Sequence, residues 1–342
     1  MESSRNEEDV NSFDWELMSK NHGLKDYPRL GDLLQHHLLE ILVTLLKNEQ
    51  HLKLQSHAAI ILQNVVAYSG SREVVMKLIT PSIIVCLIRS SVCEVQVKAL
   101  SLLCIIAFGI PSCSESKIVL AEALESQTSL IASFNESTGE DLLCIGSETL
   151  ALACQVYLDF SLDEVESVVQ AFMKLLKYES SHVLAYACLG IFFLCYGKQK
   201  MVVEEQQFGT LVDRLIELID CESRVKTIAG VRGSESPVKT IAGLVGSESR
   251  VMTIAGLRAL GSIVRWGSDR NVEVIIEKDA LLSLECLLGK DDKYYVKNTC
   301  WIISNITATR KENHIKAVID SELIGPLVDV VENYVKRETN IG

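Results

Sequence analysis

Proline, aromatic residues and basic residues are all scarce in this chain of 342 residues, which has 5 Pro, 6% aromatics and 33 Lys+Arg against 45 Asp+Glu. So little proline excludes a collagen-like or Pro-rich chain, and 48% hydrophobic residues exclude disorder as the state of the whole. The net charge of −12 repels nucleic acid and anionic membrane. No apolar run reaches the length that spans a bilayer. The opening MESSRNEEDV lacks the basic-then-apolar layout of a signal peptide, so a soluble intracellular protein is expected. No Cys-x-x-Cys pair occurs among the 11 cysteines. Most of them, including Cys86, Cys104, Cys154, Cys188, Cys195 and Cys300, sit in apolar runs, where a thiol acts as a small buried hydrophobe of a reducing compartment.

Motifs of catalysis are missing as well. The His36-His37 pair suggests no metal site, because adjacent residues face different directions on a helix. GVRGSES and GLVGSES contain glycines but lack the Lys-Ser/Thr ending and the preceding strand of a phosphate loop. No nucleophile elbow or triad-like motif organises the Ser, His and Asp residues. The chain is therefore expected not to be an enzyme and to need no cofactor or metal.

What is present is a helical period. From Leu33 onward apolar residues recur at three- and four-residue steps, in blocks separated by short Ser/Gly/Asp/Glu breaks, and nothing alternates like a strand. A short Leu/Ile/Val-rich block, such as LLEILVTLLKN, is followed by a longer one with small residues in its middle, such as VLAYACLGIFFLCYG. The central positions of the long blocks are Ile60, Ser101, Leu150, Leu189, Arg258 and Trp301, separated by 41, 49, 39, 69 and 43 residues. Four of these five spacings are near the length of one armadillo repeat. The outlier contains three near-copies of a 13-residue segment within 222–262; without two of them it falls to 43.

The predicted fold is all-α, an armadillo-repeat right-handed superhelical solenoid whose long third helices line a concave groove suited to an extended polypeptide. Residues 1–31, with seven acidic and four basic side chains, read as a disordered arm. Residues 32–342 read as about seven to eight repeats, the last incomplete. Pro237 and several glycines predict a loop or broken helices over 222–247.

The segment KYYVKNTCWIISNITATRKENHIKAVIDSELIGPLVDVVE (293–332), and above all its CWIISNITA run, resembles importin α, the armadillo adaptor for nuclear-localisation signals. Residues 257–288 look like the repeat preceding it in that family, and LQSHAAIILQNVVAYSG like an early repeat. The resemblance implies that Trp and Asn four residues apart share one face of a third helix. The Trp would form a slot for Lys or Arg stems, and the Asn amide would pair the main chain of an extended peptide. Here the pair is intact at Trp301 and Asn305. Ile60 replaces the Trp before Asn64, and Ser262 replaces the Asn after Arg258, an Arg that the family also uses. Trp301, Asn305, Arg258, Ser262 and Asn64 are thus the candidate peptide-binding residues.

The implied partners are Lys/Arg-rich segments of cargo proteins, and the implied role is protein import into the nucleus, with residence in cytoplasm and nucleus. Importin β is not expected as a partner, because the family's basic arm is here the net-acidic 1–31. The alternative is a diverged armadillo scaffold for protein–protein interaction without transport activity.

Overall fold

The computed structural model describes residues 38–47, 51–67, 80–109, 114–156, 160–196, 205–220 and 238–339. The acidic segment 1–31 lies outside them. The chain forms two compact units, one up to Tyr157 and one from Leu158. Among the described residues there is no strand, and no helix is long and apolar enough to cross a membrane.

The N-terminal unit comprises α1 (Leu38–Leu46), α2 (Leu52–Ala67), α3 (Pro81–Ile88), α4 (Cys93–Gly109), α5 (Ser114–Ser133) and α6 (Glu140–Val156). The long helices α2, α4 and α6 pack side by side as one layer, with α1, α3 and α5 behind them. Pro81 opens α3, where its missing N–H would have had no helical partner. Leu42, Leu46, Leu62, Ile84, Leu87, Leu100 and Leu103 are fully buried between the layers.

The C-terminal unit comprises α7 (Leu162–Leu175), α8 (Ser181–Tyr196), α9 (Glu205–Ile219), α10 (Val238–Trp266), α11 (Asp269–Glu277), α12 (Ala280–Leu288), α13 (Lys293–Ala308), α14 (Glu312–Asp320) and α15 (Ile324–Thr339). Local chemistry fixes their starts. Ser161 and Glu164 cap α7 reciprocally, the Ser161 hydroxyl accepting from the Glu164 N–H at 3.3 Å and the Glu164 carboxylate from the Ser161 N–H at 2.6 Å. From that start Val165, Val168, Val169, Phe172 and Leu175 fall on one buried stripe. Asp279 and Glu322 turn α11 into α12 and α14 into α15 in the left-handed region, at φ 57° and 58°. The two junctions lie 43 residues apart, the same spacing as Arg258 and Trp301.

A second repeated device closes the second helices. Their last carbonyls have no helical partner, and in three repeats a side chain early in the third helix donates to one. Gln55 reaches the Leu46 carbonyl at 2.7 Å, Gln96 the Ile88 carbonyl at 3.3 Å, and Thr253 the Leu218 carbonyl at 3.3 Å. Each donor stands five positions before its repeat's marker, Ile60, Ser101 or Arg258. Small residues in the third helices then admit bulky neighbours. A Cβ on Gly190 in α8 would lie 2.0 Å from the Phe172 ring of α7, and one on Gly146 in α6 would lie 3.3 Å from Phe134.

One expectation needs correction. Residues 222–237 lie outside those described, but α10 runs unbroken from Val238 to Trp266, through Gly243 and Gly246, where a loop or broken helices were predicted. Pro237 itself falls outside the described residues. Each glycine costs about 1 kcal/mol, but extending a helix already nucleated by the packed stretch from Thr253 to Val264 adds a hydrogen bond per residue.

Burial pushes the thiols of Cys104 in α4 and Cys195 in α8 up to about 12, against hydrogen bonds with Thr149 and Ser262 that work the other way. In the unfolded chain these thiols ionise near 9, so between the two values the folded state holds protons that the unfolded state has released. Stability should therefore be intact below pH 9 and fall as pH rises toward 12. Urea unfolding at pH 8 and at about pH 10.5 is expected to show a lower midpoint at the higher pH, with a smaller drop in a Cys104→Ala/Cys195→Ala variant. An equal drop in both proteins would contradict the assignment.

Candidate functional site

The third helices of the C-terminal unit, α8, α10 and α13, lie side by side with α10 in the middle. α10 and α13 run in the same direction. Arg250 in the earlier part of α10 pairs with Asp292 at the start of α13, and Gly261 further along α10 meets Trp301 further along α13. Asp292 caps α13 by accepting from the Tyr294 N–H at 2.8 Å. Its hydrogen bond with Arg250 holds the carboxylate below its ordinary pKa, helped by the Tyr294 and Tyr295 N–H groups and opposed by burial.

Trp301 is half-buried because Gly261 has no side chain where the indole sits. A Cβ there would lie 2.3 Å from Cζ3 and 2.6 Å from Cε3. The indole is one end of an aromatic track. Trp301 lies 6.3 Å from Trp266, Trp266 lies 6.3 Å from Phe192 edge-on, and Phe192 lies 5.4 Å from Phe193. The track crosses all three helices, and all four rings are half-buried.

Asn305 follows Trp301 by one turn on the same stripe. Its amide nitrogen is buried and has no hydrogen-bond partner. A buried donor without an acceptor costs about 1–3 kcal/mol.

The remaining sequence candidates are placed differently. Arg258 is exposed, one turn before Gly261 on the same stripe of α10. Ser262 is fully buried, its hydroxyl donating to the Ala259 carbonyl at 2.7 Å and lying against the Cys195 thiol, so it presents nothing to a ligand on this face. Asn64 belongs to α2 of the N-terminal unit, and its side chain is outside the described residues. The corresponding positions of α4 and α6 are apolar or self-satisfied. Ser101 donates to the Val97 carbonyl at 2.8 Å, and Leu150 and Cys154 are buried.

Sequence reasoning missed Phe192, Trp266, Arg265 and Lys297. The signal was available, since Trp266 is two turns past Arg258, and Lys297 is one turn before Trp301. Arg258, Arg265 and Lys297 are exposed and make no hydrogen bond or ion pair among the described residues. Residues 181–196, 250–266 and 293–308 contain no Asp or Glu at all. Among the described residues no group of His, Cys, Asp and Glu could hold a metal ion.

No family model matches the chain. It is similar to importin subunit alpha-1a of Oryza sativa subsp. japonica, with 29% identity over 304 residues, covering 88% of this chain and 52% of the rice protein. The chain thus spans about half the length of the curated relative it matches. Solved structures similar to it include a designed armadillo repeat protein, at TM-score 0.54 and 18% identity over 78% of this chain and 99% of that one. A designed armadillo repeat protein in complex with the peptide (KR)4 is similar at TM-score 0.54 and 17% identity, over 78% and 98%. These likenesses show the fold: the chain is an all-α armadillo repeat protein, and in sequence it resembles importin α.

Gly261 tests the packing under the site. Alanine normally gains about 1 kcal/mol over glycine in a helix, yet here it must displace Trp301, and overpacking costs about 1–3 kcal/mol. Gly261→Ala is expected to lower the urea midpoint and alter the near-ultraviolet circular dichroism, while Gly325→Ala in α15, with nothing within 4 Å of its Cβ, leaves both unchanged or raises the midpoint. The same response from both variants would remove the Trp301–Gly261 contact as the explanation.

Proposed function

We propose that this protein is a peptide-binding armadillo adaptor that holds an extended segment across α8, α10 and α13, with Trp301 and Asn305 as the central contact and Arg258 beside them. One observation carries the reading: a half-exposed indole stands one turn from a buried amide N–H that has no acceptor. An extended main chain supplies carbonyls to such an amide, and one of its side chains lies along the indole. The chemistry is that of a binding protein, not of an enzyme, and it requires no cofactor.

The reading has two forms. In the importin-like form the segment is a Lys/Arg-rich nuclear-localisation signal, and the protein carries cargo between cytoplasm and nucleus. The likeness to importin subunit alpha-1a and the intact Trp301–Asn305 pair support it. In the other form the protein is a diverged scaffold without transport activity. The specific observation favouring the second is the cationic, carboxylate-free composition of residues 181–196, 250–266 and 293–308. Both forms use the same contact.

That contact is tested by fluorescence anisotropy with two labelled octapeptides, (KR)4 and (DE)4. Whichever binds more tightly, Trp301→Ala should weaken it by about thirty-fold, as loss of about 2 kcal/mol at an interface centre implies. Asn305→Ala should weaken it by about tenfold, with circular dichroism unchanged. Unaltered affinity in a folded Trp301→Ala protein would remove this face as the binding site.

A further inference from the structure

Over residues 181–196, 250–266 and 293–308 the charges of the third helices are all of one sign. Arg258 and Lys297 each stand one turn before the Gly261–Trp301 contact on their own helices, and Arg265 stands one turn after it. The aromatic track therefore runs between exposed cations on both sides. Among the described residues these three have no counter-charge, as is also true of Lys290, Lys293, Arg310 and Lys316, whereas other cations of the unit are paired. Arg270 is held by Glu205, Glu273 and Glu277, Lys278 pairs with Asp213 at 2.7 Å, and Lys311 pairs with Asp269 at 3.0 Å, all on first and second helices. Arg250, at the edge of the face, is already taken by Asp292. A chain of net charge −12 thus places three unpaired cations beside its aromatic track, and residues 181–196, 250–266 and 293–308 carry no carboxylate.

We infer that this face binds an extended acidic peptide, whose carboxylates meet Arg258, Arg265 and Lys297 while its main chain crosses Trp301 and Asn305. The inference rests on the peptide-binding reading given above and names the partner of that same site. Like charges across a contact are penalised and opposite charges steer and hold the partner, so a Lys/Arg-rich segment would face three uncompensated cations with nothing to pair its own. Alternate side chains of an extended strand point to opposite sides, which matches cations on both sides of the track. A nucleic acid shares the negative charge and stacks on aromatic rings. The observations favour a peptide, because the Asn305 amide offers the donor and acceptor that a peptide group requires.

The test uses the full-length chain and three labelled probes, (DE)4, (KR)4 and an eight-nucleotide oligouridylate, in anisotropy at low and moderate salt. The expected result is that (DE)4 binds about tenfold or more tightly than (KR)4, with a preference that shrinks as salt screens it. In an Arg258→Glu/Arg265→Glu/Lys297→Glu variant the preference should reverse, and these exposed positions should leave the circular dichroism unchanged. Binding of (KR)4 in preference to (DE)4, lost in Trp301→Ala, would overturn the acidic partner and leave the peptide-binding reading standing. Tighter binding of oligouridylate than of (DE)4 would also overturn it, as would an acidic preference that survives the triple substitution. If neither peptide bound, the peptide-binding reading would fall and the inference with it.

Discussion

The close approach of neighbouring helices at a residue without a side chain is the constraint on which the rest of this protein depends. A repeat helix buries its apolar stripe only against the helices beside it, and packing at crystal-like density allows no gap at the crossing. Gly190 against Phe172 and Gly261 against Trp301 solve the same problem, one between a second and a third helix and the other between consecutive third helices. The second contact has a consequence the first lacks. Phe172 is wholly buried, whereas Trp301 sits at the edge of its layer and keeps part of its ring outside. The proposed ligand face is a by-product of how the helices stack.

Once the indole is placed, the chemistry around it follows from helical geometry. Asn305 and Lys297 flank Trp301 by one turn on α13, and Arg258 and Arg265 flank Gly261 by one turn on α10. An amide with an unused donor, half-buried rings and unpaired cations together suit a polypeptide main chain with negative side chains. Net charge gives the opposite expectation, because a sum over 342 residues says nothing of position. On the other helices carboxylates pair with Arg270, Lys278 and Lys311.

Much of the fold was legible beforehand because it is repetitive. The spacing of 43 between Arg258 and Trp301 returns in the left-handed turns at Asp279 and Glu322. The small residues noticed in the middle of the long blocks include the glycines that admit Phe172 and Trp301. What the sequence concealed was rotation about the helix axis. Ser262 occupies the family's Asn position, yet it turns toward Cys195 and is buried, while its neighbour Gly261 carries the contact with Trp301. Adjacent residues on a helix lie about 100° apart, and a periodic pattern cannot decide between them to that accuracy. The continuous α10 was missed for another reason, since the propensity penalties of Gly243 and Gly246 are local while the packing that nucleates the helix lies further along the chain.

The most direct test of where a ligand sits is the nuclear magnetic resonance of two groups, the indole N–H of Trp301 and the carboxamide of Asn305, assigned by their substitution. Titration with (DE)4 should shift both resonances together and saturate them at the affinity seen by anisotropy, and the indole N–H of Trp15 should stay in place. A peptide that binds with that affinity while both groups stay unmoved would show that the ligand lies elsewhere on the chain and that the stacked third helices serve the fold alone.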